Sequence, residues 1–260
     1  MTDARPAPQL RATPQAAAVL LAAAAAWGLT VNRALDMGNG PGTMGLGLAA
    51  FVVMWALMMS AMMLPAVAPL ASLYVRTFTD RPWRRTLEFA GGYLIAWSAA
   101  GVPLFLLARL ADRADPGATW PRVVAAVIFA TAGAWQFTGA KDRCLRHCRS
   151  PIGLLLHYGG YTGPGRDVRV GLHHAAWCLG CCWALMVLFV AFGVMNLFAM
   201  IGLAAVVLAE KQWTRGEQLA RVAGVVLLVL AVVVLFAPGI APGLTGGHGM
   251  SGGGMGGGGM

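Results

Sequence analysis

Charged side chains are scarce in this sequence. Asp, Glu, Lys and Arg make up 11% of 260 residues, where a soluble domain carries about 25%. That shortage excludes a water-soluble domain of ordinary composition. No G-x-x-x-x-G-K-[ST] stretch occurs, which excludes a P-loop ATPase. No ten-residue segments of alternating polarity occur, which excludes a transmembrane β-barrel. No solenoid-type repeat is present. Acidic residues number 10 against 19 basic ones, a net charge of +9. In so apolar a chain, basic residues are expected to gather in loops on the cytoplasmic side of a membrane. The charge therefore reads as topology, and nucleic acid is set aside as a partner.

What the chain does have is apolar length: 58% of its residues are hydrophobic. Several runs approach the ~20 residues a helix needs to cross ~30 Å of hydrocarbon. They predict an all-α, polytopic transmembrane helix bundle of about seven spans, near 16–31, 46–70, 87–110, 122–140, 171–192, 195–209 and 219–236. The first run, alanine-rich after a basic start, also suits a signal peptide; retention as a short helix is preferred. The 40 apolar residues of 171–210 are too long for one crossing, and the natural break is Gly193–Asn196. A disordered tail is expected over 1–15, a transmembrane domain over 16–238, and a flexible Gly/Met-rich tail over 239–260. With seven spans, fifteen of the nineteen Lys and Arg fall on the side of the amino terminus and four on the other. That split predicts a cytoplasmic amino terminus and an external carboxyl terminus. It makes the protein a multi-pass component of a bacterial inner membrane.

The chemistry concentrates in five cysteines. Cys178, Cys181 and Cys182 fall within the stretch CLGCCW, inside the fifth predicted span. Helical spacing puts the three on one face, with His174 one turn earlier. At ~1.5 Å per residue they lie on the order of 10–17 Å inside the cytoplasmic face. Cys144 and Cys148 are one turn apart where the fourth span ends, with His147 between them and about 40° off their face. Met58, Met59, Met62 and Met63 form two i, i+4 pairs in the second span at similar depth. Cysteine also packs as a small hydrophobe, and methionine is an ordinary core filler. Five thiols in two clusters strain that reading. Thiolate, thioether and imidazole together select a soft ion, with Cu(I) first and zinc second, since Met does not suit zinc. His248, Met250, Met255 and Met260 in the tail suit weak Cu(I) capture. Gln136 and Asn196 are expected to hydrogen bond between helices.

MWALMMSAMMLP (54–65), AGAWQFTGAKDRCLRHCRSP (132–151), GLHHAAWCLGCCWALM (171–186) and GVMNLFAM (193–200) together resemble the bacterial family of predicted metal-binding integral membrane proteins. This is a domain-of-unknown-function family, some of whose members are labelled copper chaperones. The resemblance covers about residues 45–235 and implies a metal-binding membrane protein. One departure is the absence of a proline near Gly139, where this chain reads Phe-Thr-Gly-Ala.

The expected ligand set is therefore Cys178, Cys181, Cys182, Cys144, Cys148, His174, His147, Met58, Met59, Met62 and Met63. The expected partners are the lipid bilayer, the metal ion and a copper-donor or copper-acceptor protein. No catalytic residues are assigned. The alternative is a thiol–disulfide carrier, in which Cys178 and Cys181 form C-x-x-C and exchange with Cys144 and Cys148. An odd number of cysteines, and methionines with no part to play, count against it.

Overall fold

The structure is a computed structural model and describes residues 13–37, 42–77, 80–113 and 119–245. The predicted Gly/Met tail from 246 onward, and most of the predicted amino-terminal tail, lie outside the described residues. Within them the chain is all helical: α1 (Pro14–Met37), α2 (Leu48–Thr77), α3 (Pro82–Ala111), α4 (Trp120–Trp135), α5 (Gly139–Arg149), α6 (Pro151–Gly159), α7 (Arg166–Phe192), α8 (Leu197–Gln212), α9 (Gly216–Phe236), a 3₁₀ turn Pro238–Ile240 and a final turn α10 (Pro242–Thr245). Five helices are long and apolar enough to cross a membrane: α1, α2, α3, α7 and α9. They become six if α4 and α5, bent by 62° at their junction, make one broken span. α8 has 16 residues, about 24 Å of helix, which is short of a ~30 Å hydrocarbon layer.

Two breaks organise the half of the bundle that carries the cysteines. The predicted fourth span, 122–140, is two helices rather than one. α4 ends at Trp135, and Thr138 joins the pieces: its hydroxyl donates to Trp135 O at 2.8 Å and accepts from Lys141 N at 3.2 Å. A threonine N-cap does here what a proline would do elsewhere. The second break falls at Gly193–Asn196, as expected. Gly193 has φ 94°, a left-handed conformation open to glycine. Asn196 caps α8 and, as expected, bonds between helices: Oδ1 accepts from Ala199 N of α8 and Nδ2 donates to Phe192 O at the end of α7, each at 3.1 Å.

α3 and α7 cross closely. A side chain on Gly92 would meet Val168 O at 2.2 Å, and one on Gly171 would meet Phe89 O at 2.1 Å. Small residues let the two backbones touch, the usual means of close helix packing in an apolar medium. At one end of this crossing, Arg85 pairs with Asp80 at 2.7 Å and with Asp167 at 3.2 Å, and the Tyr74 hydroxyl donates to Asp167. The guanidinium holds the exposed Asp80 carboxyl below its usual range. α2 carries Pro65 and Pro69 within its length. Pro69 has no N–H to offer Pro65 O, and Gln212 Nε2, at the end of α8, approaches that carbonyl at 3.4 Å. The end of α8 is thus tied to α2 at the level of Pro65.

Candidate metal centre

α7 carries the centre because its inward face is nearly continuous. His174, Cys178, Cys181 and Cys182 are all buried, Cys178 completely. The Cys178 thiol is surrounded. Tyr93 Oη of α3 lies 2.9 Å from its sulfur, and Lys211 Nζ of α8 donates to it from 2.7 Å. The Cys181 and Cys182 thiols turn back to Cys178 O, at 3.1 and 2.8 Å. That is the default for a thiol inside a helix, where the carbonyl one turn back is the nearest acceptor. His174 lies flat against the Tyr93 ring, with centroids 6.0 Å apart, and its Nδ1 is buried without a hydrogen-bond partner. A buried imidazole nitrogen left unsatisfied beside a thiol cluster is a donor suited to a soft ion.

α5 delivers the second thiol pair. The bend after α4 swings it across α7, and it packs against both α7 and α8. Gly180 makes room: a side chain there would lie 2.8 Å from Cys144 Sγ. The Cys148 thiol interacts with that of Cys181. Trp135 Nε1 donates to Gly180 O at 3.2 Å, fixing the end of α4 to the same turn of α7. All five cysteines are free thiols. As they stand, no three His, Cys, Asp or Glu side chains among the described residues converge to hold an ion. The Cys181 and Cys182 thiols bond Cys178 O and also interact with the Cys178 thiol.

Met58, Met59, Met62 and Met63 are all buried in the core that includes the three α7 cysteines. Met62 and Met63 lie within one turn of Pro65, the level at which the end of α8 meets α2, and Lys211 is the neighbour of Gln212. His147 packs on an aromatic neighbour. It stacks on Trp177 with centroids 4.4 Å apart. His173 and His157 lie near it.

The sequence reading passed over two lysines. Lys141 is wholly buried; it pairs with Glu210 at 2.8 Å and also bonds Gln136 Oε1. Lys211 bonds Cys178. Both fall among the basic residues that the charge split assigns to one side of the membrane, and the Glu210-Lys211 pair at the end of an apolar run is the sequence signal of charge carried inward.

A family model described as a copper chaperone, PpoB2, matches residues 52–234, which includes every one of these side chains. No curated protein and no solved structure matches the chain. The match spans most of the chain and all of the cysteine-bearing helices. The chain belongs to the PpoB2 family of copper chaperones.

Proposed function

We propose that the protein is an integral membrane protein that holds Cu(I) as cargo on a thiol centre around Cys178, for hand-off or transport. The observation that carries this reading is that the buried thiols of Cys178, Cys181 and Cys182 on α7 interact with one another and with Cys148 of α5, in a chain of a copper chaperone family. Cys178 is the central ligand. Cys181, Cys182 and Cys148 are the neighbours from which one or two more are drawn, with Cys144 behind Gly180 on the side of α5. Cu(I) needs only two or three soft ligands, so the set holds more donors than one ion uses. His174, with its unpartnered Nδ1, and the thioethers of Met58, Met59, Met62 and Met63 complete the soft surroundings. Lys211 occupies the Cys178 sulfur with a single positive charge, the charge that Cu(I) carries. Binding then exchanges one monovalent cation for another at the same atom. The protein sits in a bacterial inner membrane with its amino terminus in the cytoplasm, and takes copper from, or gives it to, a partner protein.

The test is metal analysis of detergent-purified protein kept reduced and free of oxygen. Copper is expected in the parent protein. Cys178→Ser removes it, and Cys182→Ser leaves part of it. Full copper content in every single serine variant defeats the thiol centre. A mixed disulfide trapped on Cys178 or Cys181, with variants of Met62 and Met63 fully active, favours the thiol–disulfide carrier instead.

A further inference from the structure

Three imidazoles from three different helices gather beside the thiol layer. His147 comes from α5, His157 from α6 and His173 from α7. The ring centres of His157 and His173 are 5.1 Å apart, those of His147 and His173 6.2 Å, and those of His147 and His157 6.4 Å. Helical steps of about 100° separate His147 from Cys148, so one turn of α5 presents a thiol to α7 and an imidazole to this group. We propose that His147, His157 and His173 form a second metal site, an all-imidazole site that takes a borderline divalent ion such as Cu(II) or Zn(II).

Three observations carry it. The first is spacing. Imidazole nitrogens bind such ions at about 2.0–2.1 Å, which sets ring centres of a tetrahedral site on the order of 5 Å apart. His157 and His173 already have that separation. His147 is about 1 Å too far from each, because it is stacked on Trp177. A change of the His147 χ1 rotamer that lifts the ring off the indole would have to close the gap. The second is orientation. Tyr158 Oη holds His173 Nδ1 at 3.0 Å, which leaves Nε2 to face an ion. A ligating histidine is commonly fixed in this way, through its other nitrogen. The third is an orphan. His147 Nε2 is buried and has no hydrogen-bond partner, so the pose on Trp177 leaves a donor or acceptor unused that a metal bond would satisfy.

The site differs in kind from the thiol centre. Imidazole-only donors suit divalent Cu, Zn and Ni, whereas thiolate and thioether donors suit Cu(I). His157 is exposed, so the group of rings is open on one side. The proposal stands apart from the Cu(I) reading and does not need it.

The experiment is an anaerobic Co(II) titration of untagged, full-length protein in detergent, followed by visible absorption. His248→Ala forms the background, so that the tail adds no imidazole. One Co(II) per chain is expected, with tetrahedral d–d bands and no sulfur-to-cobalt charge-transfer band. His157→Ala and His173→Ala each weaken it at least tenfold, while Cys178→Ser leaves it unchanged. His157 is exposed, so its loss does not threaten the fold, and His157→Ala decides the matter even if His173→Ala misfolds. No cobalt bound, a sulfur charge-transfer band that His157→Ala abolishes, or d–d bands and affinity unmoved by His157→Ala overturns the proposal. Copper lost on Cys178→Ser with cobalt retained separates the two sites; each result stands or falls without the other.

Discussion

Lys141 and Lys211 both carry an ammonium into the core, and they are held in opposite ways. Lys141 is sealed: it has no exposed surface, its partner Glu210 is 2% exposed, and Gln136 Oε1 takes a further bond. Its charge is matched by a formal carboxylate charge. Lys211, the next residue after Glu210, is half-buried and reaches a soft sulfur, Cys178. A carboxylate pair buried in apolar surroundings is nearly impossible to open, because each charge left alone bears its full desolvation cost. A lysine on a thiol has no counter-charge of that kind to hold it. One lysine fixes α5 to α8; the other sits on the sulfur that the proposed centre gives to copper.

The largest effect expected is on the sealed pair. Lys141→Met leaves the Glu210 carboxylate buried and alone, and Glu210 Oε1 already lacks a partner. The loss should be about 3–5 kcal/mol of stability, as for other buried pairs broken from one side. Thermal unfolding in detergent measures it. Joining Lys141→Met with Glu210→Leu should recover much of the loss, because no lone charge remains. If Lys141→Met unfolds at the parent temperature, the pair does not clamp α5 to α8.

Lys211→Met should do the reverse. It leaves a neutral thiol behind, a small hydrophobe content in an apolar site. Stability should stay within about 1 kcal/mol of the parent, while copper affinity changes. A melting temperature that falls as far as in Lys141→Met would erase the contrast between the two lysines.

Much of this was legible from the chain, and the two lysines mark where it was not. The α7 face was readable because one helix lays it out: 174, 178, 181 and 182 follow from helical spacing alone. The break at Gly193 was readable because a 40-residue apolar run cannot be one crossing. The bend at Gln136–Thr138 was not, since Thr138 caps by a hydroxyl that resembles any other in an apolar run. That bend decides where Cys144 and Cys148 go, and it turns Lys141 inward onto Glu210, 69 residues later. Pairings across such separations leave no periodic trace. Helical spacing sets His147 between Cys144 and Cys148, about 40° off their face, and so among the ligands. The structure stacks it on Trp177, near His157 and His173, which the sequence separates by 10 and 26 residues.

The smallest effect tests how far the exchangeable side of the core extends. Gln212 ties the end of α8 to Pro65 O, one turn beyond Met62 and Met63, and Lys211 beside it reaches Cys178. If the soft site includes α2, its thioethers belong to the side of Lys211 and not to that of Lys141. Met62→Leu with Met63→Leu keeps volume nearly constant, so packing should cost under about 1.5 kcal/mol. Leucine has no lone pair for copper. Copper affinity should fall by about tenfold, a change of about 1.4 kcal/mol, and competition with a Cu(I) chelator of known affinity reads it. The same double variant of a thiol–disulfide carrier would keep its exchange rate, because a thioether has no part in exchange. An unchanged copper affinity would confine the exchangeable side to α7, α8 and α5, and leave Met62 and Met63 as core filler like Met58 and Met59 deeper in the helix.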